Sequence, residues 1–250
     1  MRDVYVILMS RDMNDLKVIS RDLSEKGSVV MMGFPGSGLV GSIALQYMVD
    51  QLEFNHIGNI TSRFFPPMSM MAKGVINAAV RIYEKDKFTA VVADIPIHPS
   101  ICYEVANGIL DWLDDFDVKE IVTIAGIITN ESEKRVFGVA SDEEAVHKIR
   151  DHTIILPMGS ISGIASSLLT ECKLRRIPCI GLLGETVNNP DPRAAVSTIE
   201  VLNQLYSLNL DIEPLNEQAE EIEATMQRLA EEVQSSEVPQ QKKENLPMYW

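Results

Sequence analysis

Residues 28–44 read SVVMMGFPGSGLVGSIA. Ser28 to Gly33 is an apolar run of strand length with no polar alternation, the pattern of a strand covered on both faces inside a parallel sheet. The glycines that follow mark a tight turn, and Leu39 to Leu52 carries helical spacing, so the stretch predicts strand, turn and helix. Gly36, Gly38 and Gly41 match G-x-G-x-x-G at a helix start, where backbone N–H groups can hold a pyrophosphate. A dinucleotide site also needs an acid at the end of the next strand. Here "HIGNITSRFFPP" offers Arg63 and no carboxylate. Pro35 alters the loop, and no G-x-x-x-x-G-K-[ST] is present. The simpler reading of the glycines is a tight strand-to-helix turn with close helix packing; no cofactor is expected.

Working outward, β-branched runs alternate with helical ones from Val4 to about Leu208. Strands are predicted at Val4 to Met9 and Ser28 to Gly33, and in "HIGNIT", "VINAAVRIY", "TAVVADI", "EIVTIAG", "RVFGVA", "TIILPM" and "IPCIGLL". Helices are predicted at Leu39 to Leu52, Ile101 to Asp115, Asp142 to Ile149, Ile161 to Arg175 and Pro192 to Leu208. Ser141 and Glu144 have the spacing of a capping box, and Asp191 is placed as N-cap with Pro192 at the first helical position. The result is an α/β class protein: a single domain over 1–210 with a largely parallel or mixed sheet flanked by helices.

Beyond Pro214 the composition changes. Leu215, Ala219, Ile222, Met226, Leu229 and Val233 recur at alternating steps of four and three, a heptad seam that predicts an amphipathic helix over 211–236. Such a helix either lies on its own domain or packs in the arm of an oligomer, against a second copy or a helical hairpin partner. From Leu210 to Trp250 there are ten acids and three bases, so half of the net charge of −14 falls in the last 41 residues. Residues 237–250 are polar with two prolines and are expected to form a flexible tail, yet they finish on Met248, Tyr249 and Trp250.

The charge disfavours nucleic acid or an anionic membrane as partner. The N-terminal stretch lacks a signal-peptide pattern and no run is long enough to span a bilayer, so a cytoplasmic location is expected. Cys102, Cys172 and Cys179 form no C-x-x-C pair and read as buried thiols. The histidines His56, His98, His147 and His152 are scattered, and no metal site is expected. Polar groups at the expected strand ends, namely Asp94, Glu185, Thr186 and the Gly159 to Gly163 turn, are where an open α/β sheet places ligands. No G-x-S-x-G elbow accompanies them, and Asp94 is more simply a turn or cap residue.

The glycine loop "GFPGSGLVG", the "PDPRAA" helix start and the α/β order resemble the proteasome assembly chaperone family, in its archaeal homologues, over roughly Ser28 to Leu208. The resemblance implies a fold similar to that of purine nucleoside phosphorylases and related hydrolases, without implying their chemistry. It also implies a role for the ending: Met248, Tyr249 and Trp250 are similar to the hydrophobic, tyrosine, any-residue terminus that docks between α subunits of the core particle. Met248 would fill an apolar groove, Tyr249 would bury its ring, and the carboxylate of Trp250 would pair with a lysine. The implied function is an ATP-independent assembly chaperone, not an enzyme. It would be a homo-oligomer, a tetramer favoured, binding proteasome α subunits or the α ring. The alternatives are a gate-opening activator or adaptor, and a nucleoside or phosphate-ester hydrolase using the glycine loop and Asp94.

Overall fold

A computed structural model describes residues 6–8, 16–129, 131, 133–187 and 189–220. In chain order the elements begin with β1 (Val6–Leu8), β2 (Leu16–Ser20) and β3 (Ser28–Gly33), then α1 (Val40–Gln51). Next come β4 (Asn55–Ser62), β5 (Met70–Ala72), β6 (Val75–Asn77), β7 (Val80–Lys85), β8 (Phe88–Ala93) and α2 (Cys102–Leu113). The remainder comprises β9 (Val118–Ile128), β10 (Val136–Ala140), α3 (Glu143–Ile149), β11 (Ile154–Ile155), α4 (Ile164–Arg175), β12 (Cys179–Thr186) and α5 (Pro192–Tyr206). A further helix, α6, occupies 213–220.

Among the described residues ten strands form one sheet in the order β1-β2-β4-β7-β8-β3-β9-β12-β10-β11, and β5 and β6 form a separate hairpin. The centre, β8-β3-β9-β12, is parallel throughout. β1, β2, β4 and β7 extend one side by antiparallel pairing, and β10 pairs antiparallel with β12 on the other. The sheet is therefore mixed around a parallel core.

β3 shows why its sequence has no polar alternation. Val30 and Met32 pack into one core layer with α2 and α4, while Val29 and Met31 pack into the opposite layer with α1, α3 and α5. Successive side chains of a strand point to opposite faces, so a strand between two helix layers needs apolar residues at every position. Met31 and Met32 are both fully buried, each contributing about 2 kcal/mol by removal of apolar surface from water. β12 is buried at all eight positions for the same reason.

Several expectations need correction. Val75 to Tyr83 is not one strand. It divides into β6, which pairs back on β5, and β7, which joins the main sheet. The strand expected around Thr153 to Met158 shrinks to the two residues of β11. β2, which was not expected, alternates buried and less buried positions as a strand covered on one face does. α4 begins at Ile164 and not Ile161, because Gly163 takes φ 76°, a left-handed value that ends the preceding loop. The N-cap of α3 is Asp142, whose carboxylate accepts from the Ala145 N–H at 2.8 Å. Ser141 is drawn away instead, its hydroxyl accepting from the Cys179 N–H at 2.9 Å. Asp191 caps α5 as expected, accepting from Ala194 N–H at 3.1 Å with Pro192 at the start of the helix. Cys102, Cys172 and Cys179 are buried and unbridged.

Candidate functional site: the carboxyl end of the sheet and an exposed hairpin

The glycine loop is a packing device. A Cβ on Gly33 would lie 2.2 Å from the carbonyl oxygen of Gly41, and one on Gly41 would lie 2.3 Å from that of Ile124 in β9. Gly126 of β9 in turn faces the Ser37 carbonyl oxygen, which its Cβ would approach to 2.1 Å. Gly38, at φ 62°, sits under Thr186, and its carbonyl accepts from the Asp191 N–H at 2.8 Å. Three glycines of the loop and one of β9 thus let α1 begin directly on the sheet. Gly36 differs, since a Cβ there would meet nothing within 4 Å.

Around this loop the polar groups of the strand ends are tied to one another. The Glu185 carboxylate is fully buried and held by Arg135, whose Nε and an Nη donate at 2.7 and 2.8 Å. Thr129 Oγ1 and the Arg135 backbone N–H also donate to it. The Arg135 bonds outweigh burial and pull the Glu185 pKa down to about 2. Six residues on, Asp191 forms an ion pair with Lys134 at 2.7 Å and accepts from the Thr186 hydroxyl at 2.9 Å. Burial pushes this carboxyl up, but Lys134, the Ala194 N–H and Thr186 together hold it below its ordinary value. Two adjacent bases, Lys134 and Arg135, therefore fasten the segment after β9 to the end of β12.

Asp94 lies elsewhere. It lies in the bend after β8, in keeping with the turn expected, and both of its oxygens accept from the Arg81 guanidinium, which also donates to Ala78 and Tyr83. His98 caps the short turn at Pro99–Ile101, its Nδ1 accepting from the Ser100 N–H. The strand-end groups singled out in the sequence are thus not gathered into one set. Among the described residues no three His, Cys, Asp or Glu side chains gather as metal ligands, and no helix is long and apolar enough to cross a membrane.

A cleft of about 360 Å³ opens at the carboxyl ends of β3 and β9, between the Phe34 to Ser37 segment, Thr123 to Ile128 and the Ser160 to Ala165 start of α4. Another, of about 450 Å³, runs between Met70 of the β5–β6 hairpin and Pro35, Gly36, Leu39, Asp94 and Pro96, and so brings Asp94 beside the glycine loop. The hairpin itself is the most apolar exposed feature of the described chain. Met71, Val75 and Ile76 are 74 %, 65 % and 69 % exposed, with Phe64 and Met68 also exposed close by in sequence. A cluster of this kind marks a contact surface more often than isolated exposed residues do. The sequence places "VINAA" in a sheet strand and so hides the hairpin. The signal is the apolar-rich "MSMMAKGVI", two short apolar arms around a Lys-Gly turn.

Leu215 and Ala219, the first two positions of the heptad seam, are buried against their own domain. Leu215 joins the layer of α1 and α5. Tyr47 donates to the Asp211 carbonyl at 2.7 Å, and Asn203 both donates to and accepts from the Leu210 backbone, fixing the approach to α6. Glu220, the last described residue, lies 4.0 Å from Arg193 in the first turn of α5. Ile222, Met226, Leu229 and Val233, together with Met248, Tyr249 and Trp250, lie outside the described residues.

A family model described as PAC2 family matches residues 30–230. An uncharacterized protein of Methanocaldococcus jannaschii is 34% identical over 88% of this chain and 92% of its own length. Among solved structures, Pyrococcus furiosus PbaA, described as an archaeal homolog of proteasome-assembly chaperone, is 32% identical. It covers 89% of this chain and 94% of its own, with a TM-score of 0.81. P. furiosus PbaB, described as an archaeal proteasome activator, is 24% identical over 87% of this chain and all of its own, with a TM-score of 0.79, and bears on the fold alone.

Proposed function

The chain belongs to the PAC2 family, and on that premise we propose that it is an ATP-independent, non-enzymatic chaperone of proteasome assembly that binds core-particle α subunits or their ring. The observation that carries this reading is the 32% identity to PbaA across nearly the whole of both chains. Further support comes from the strand ends. Glu185, Thr186 and Asp191 are engaged with Arg135, Lys134 and each other, and Gly33, Gly38 and Gly41 are occupied by packing. A hydrolase using the glycine loop and Asp94 would need a free carboxylate there, and Asp94 is paired with Arg81.

In this reading the domain positions and multiplies its C-terminal anchors. Glu220, from which that reading has the arm continue, lies beside Arg193 in the first turn of α5. From there Met248, Tyr249 and Trp250 engage clefts between α subunits: an apolar side chain, a flat ring with a hydroxyl, and a carboxylate. A tripeptide is a weak ligand alone. Self-association raises its effective concentration, because each bound tail holds its neighbours near their pockets. The exposed hairpin residues Met71, Val75 and Ile76 supply an apolar surface suited to that self-association, with a tetramer favoured and Ile222, Met226, Leu229 and Val233 continuing the arm.

Mass measurement of the intact protein, alone and mixed with α subunits, tests the reading. A homo-oligomer that captures α subunits without nucleotide supports it, and a monomer that leaves α subunits untouched contradicts it. Stimulated peptide hydrolysis by finished particles would identify a gate-opening activator instead.

A further inference from the structure

We propose that the β5–β6 hairpin of one copy receives the C-terminal helix, residues 221–236, of a second copy. The contact deepens the self-association in the reading above and rests on it, but not on the choice of proteasome partner. β5 and β6 are three residues each and stand outside the ten-stranded sheet. Met71 is paired with Ile76 and Met70 with Asn77, and directly paired residues share a face. Met70 is turned to the body, where it borders Pro35 and Leu39, so Met71 and Ile76 form the outer face. Among the described residues that face is left to solvent. A two-stranded hairpin alone is marginal in water and gains stability from further strands or from a helix packed on it.

The helix that fits is the chain's own arm, and the direction of α6 carries it to a second copy. Leu210 is held by Asn203 in the last turn of α5, and Glu220 lies beside Arg193 in the first. α6 therefore runs antiparallel to α5, toward the carboxyl end of the sheet. The hairpin stands at that same end, since Met70 borders residues that directly follow β3 and β8. Leu215 and Ala219 are buried against the domain, and Ile222, Met226, Leu229 and Val233 continue the same stripe. A helix continued at 1.5 Å per residue would carry Met226 about 9 Å and Val233 about 20 Å past Glu220, beyond the end of α5 that supports it. No glycine or proline interrupts Leu215 to Val238, so such a helix has no break at which to fold back over its own hairpin.

Charge selects the same occupant. From Phe54 to Tyr83 the chain has no acid, although it has 36 in all, and the exposed bases Arg63 and Lys73 flank the Met68 to Met71 segment. Residues 221–236 carry four acids and one base around the apolar stripe. The arm thus brings an apolar seam with an acidic border to a hairpin with an apolar face and a basic border. Each copy has one hairpin and one arm, so reciprocal exchange closes a two-fold pair, and a tetramer is two such pairs.

The test cross-links full chains of two kinds with a short bismaleimide. One kind carries Val75→Cys at the hairpin, the other Thr225→Cys or Ala230→Cys beside the seam, and the native cysteines are buried. Hairpin-to-arm links between the two kinds of chain are expected in the mixture. No link at either arm position, links from hairpin to hairpin alone, or links confined to single chains carrying both cysteines would overturn the contact. In parallel, Met226→Asp with Leu229→Asp is expected to raise the dissociation constant of self-association at least about tenfold. Adding Met71→Asp and Ile76→Asp should bring little further loss, because both pairs of substitutions break one contact. An oligomer whose mass neither pair lowers overturns this contact alone, whereas a monomeric parent overturns the self-association it rests on as well. Cross-links together with an absence of α-subunit capture would support the contact while contradicting the chaperone reading.

Discussion

A Cβ on Gly41 would sit 2.3 Å from the carbonyl oxygen of Ile124, so α1 crosses β9 with backbone against backbone. Neither side of that contact is a flexible side chain, and the helix cannot take up a methyl group without moving off the sheet. Gly41→Ala is therefore expected to cost about 3 kcal/mol. Gly36→Ala, whose Cβ meets open space at an extended backbone position, should stay within about 0.5 kcal/mol of the parent. Urea unfolding of the two variants measures the difference.

The Glu185 carboxyl has a folded-state pKa of about 2 against an ordinary value of 4.5. A group lowered in this way stabilises the fold fully above pH 4.5, and the contribution is lost as pH falls from there through about 2. Glu185→Gln should thus destabilise the protein at neutral pH, by about 2 kcal/mol since Arg135 stays partly in contact with water. It should also make stability less steep between pH 4.5 and 2. Tm measured against pH for both proteins checks the magnitude and the sign.

Asn203 holds the Leu210 backbone at both its N–H and its carbonyl. Replacing it with alanine leaves two backbone groups to find water and should cost about 1–2 kcal/mol. The effect should be local, since the clamp serves only the approach to α6. Hydrogen exchange is expected to quicken over 210–220 while β3 and β12 remain protected.

The central strands were legible because burial on two faces leaves a mark no loop imitates. After Ser28, "VVMMG" and the run into "IGLL" carry no polar residue on either face; β3 is where it was expected and β12 overlaps the expected strand. Asp191 with Pro192 is likewise a local signal, and the cap forms. What stayed hidden depends on distant partners. The Arg135 to Glu185 pair spans 50 residues of chain, and nothing in "SEKRVFG" or "LLGETV" announces it. The Ser141 cap failed because a neighbouring strand end, Cys179, competes for its hydroxyl.

The hairpin carries a prediction for assembly. Met71→Asp combined with Ile76→Asp places two charges on side chains already in solvent, so the fold of the single chain should change by less than about 0.5 kcal/mol. If the hairpin is the self-contact, light scattering will show a smaller species than the parent. An unchanged mass would put the contact elsewhere.

The most direct test of the central claim is the affinity of the intact oligomer for proteasome α subunits, compared with Tyr249→Ala and with a chain lacking Met248 to Trp250. The account predicts a loss on the order of 2 kcal/mol per tail for Tyr249→Ala, as for a buried aromatic anchor, and no measurable capture after removal of the three residues. Equal affinity for all three proteins would contradict it.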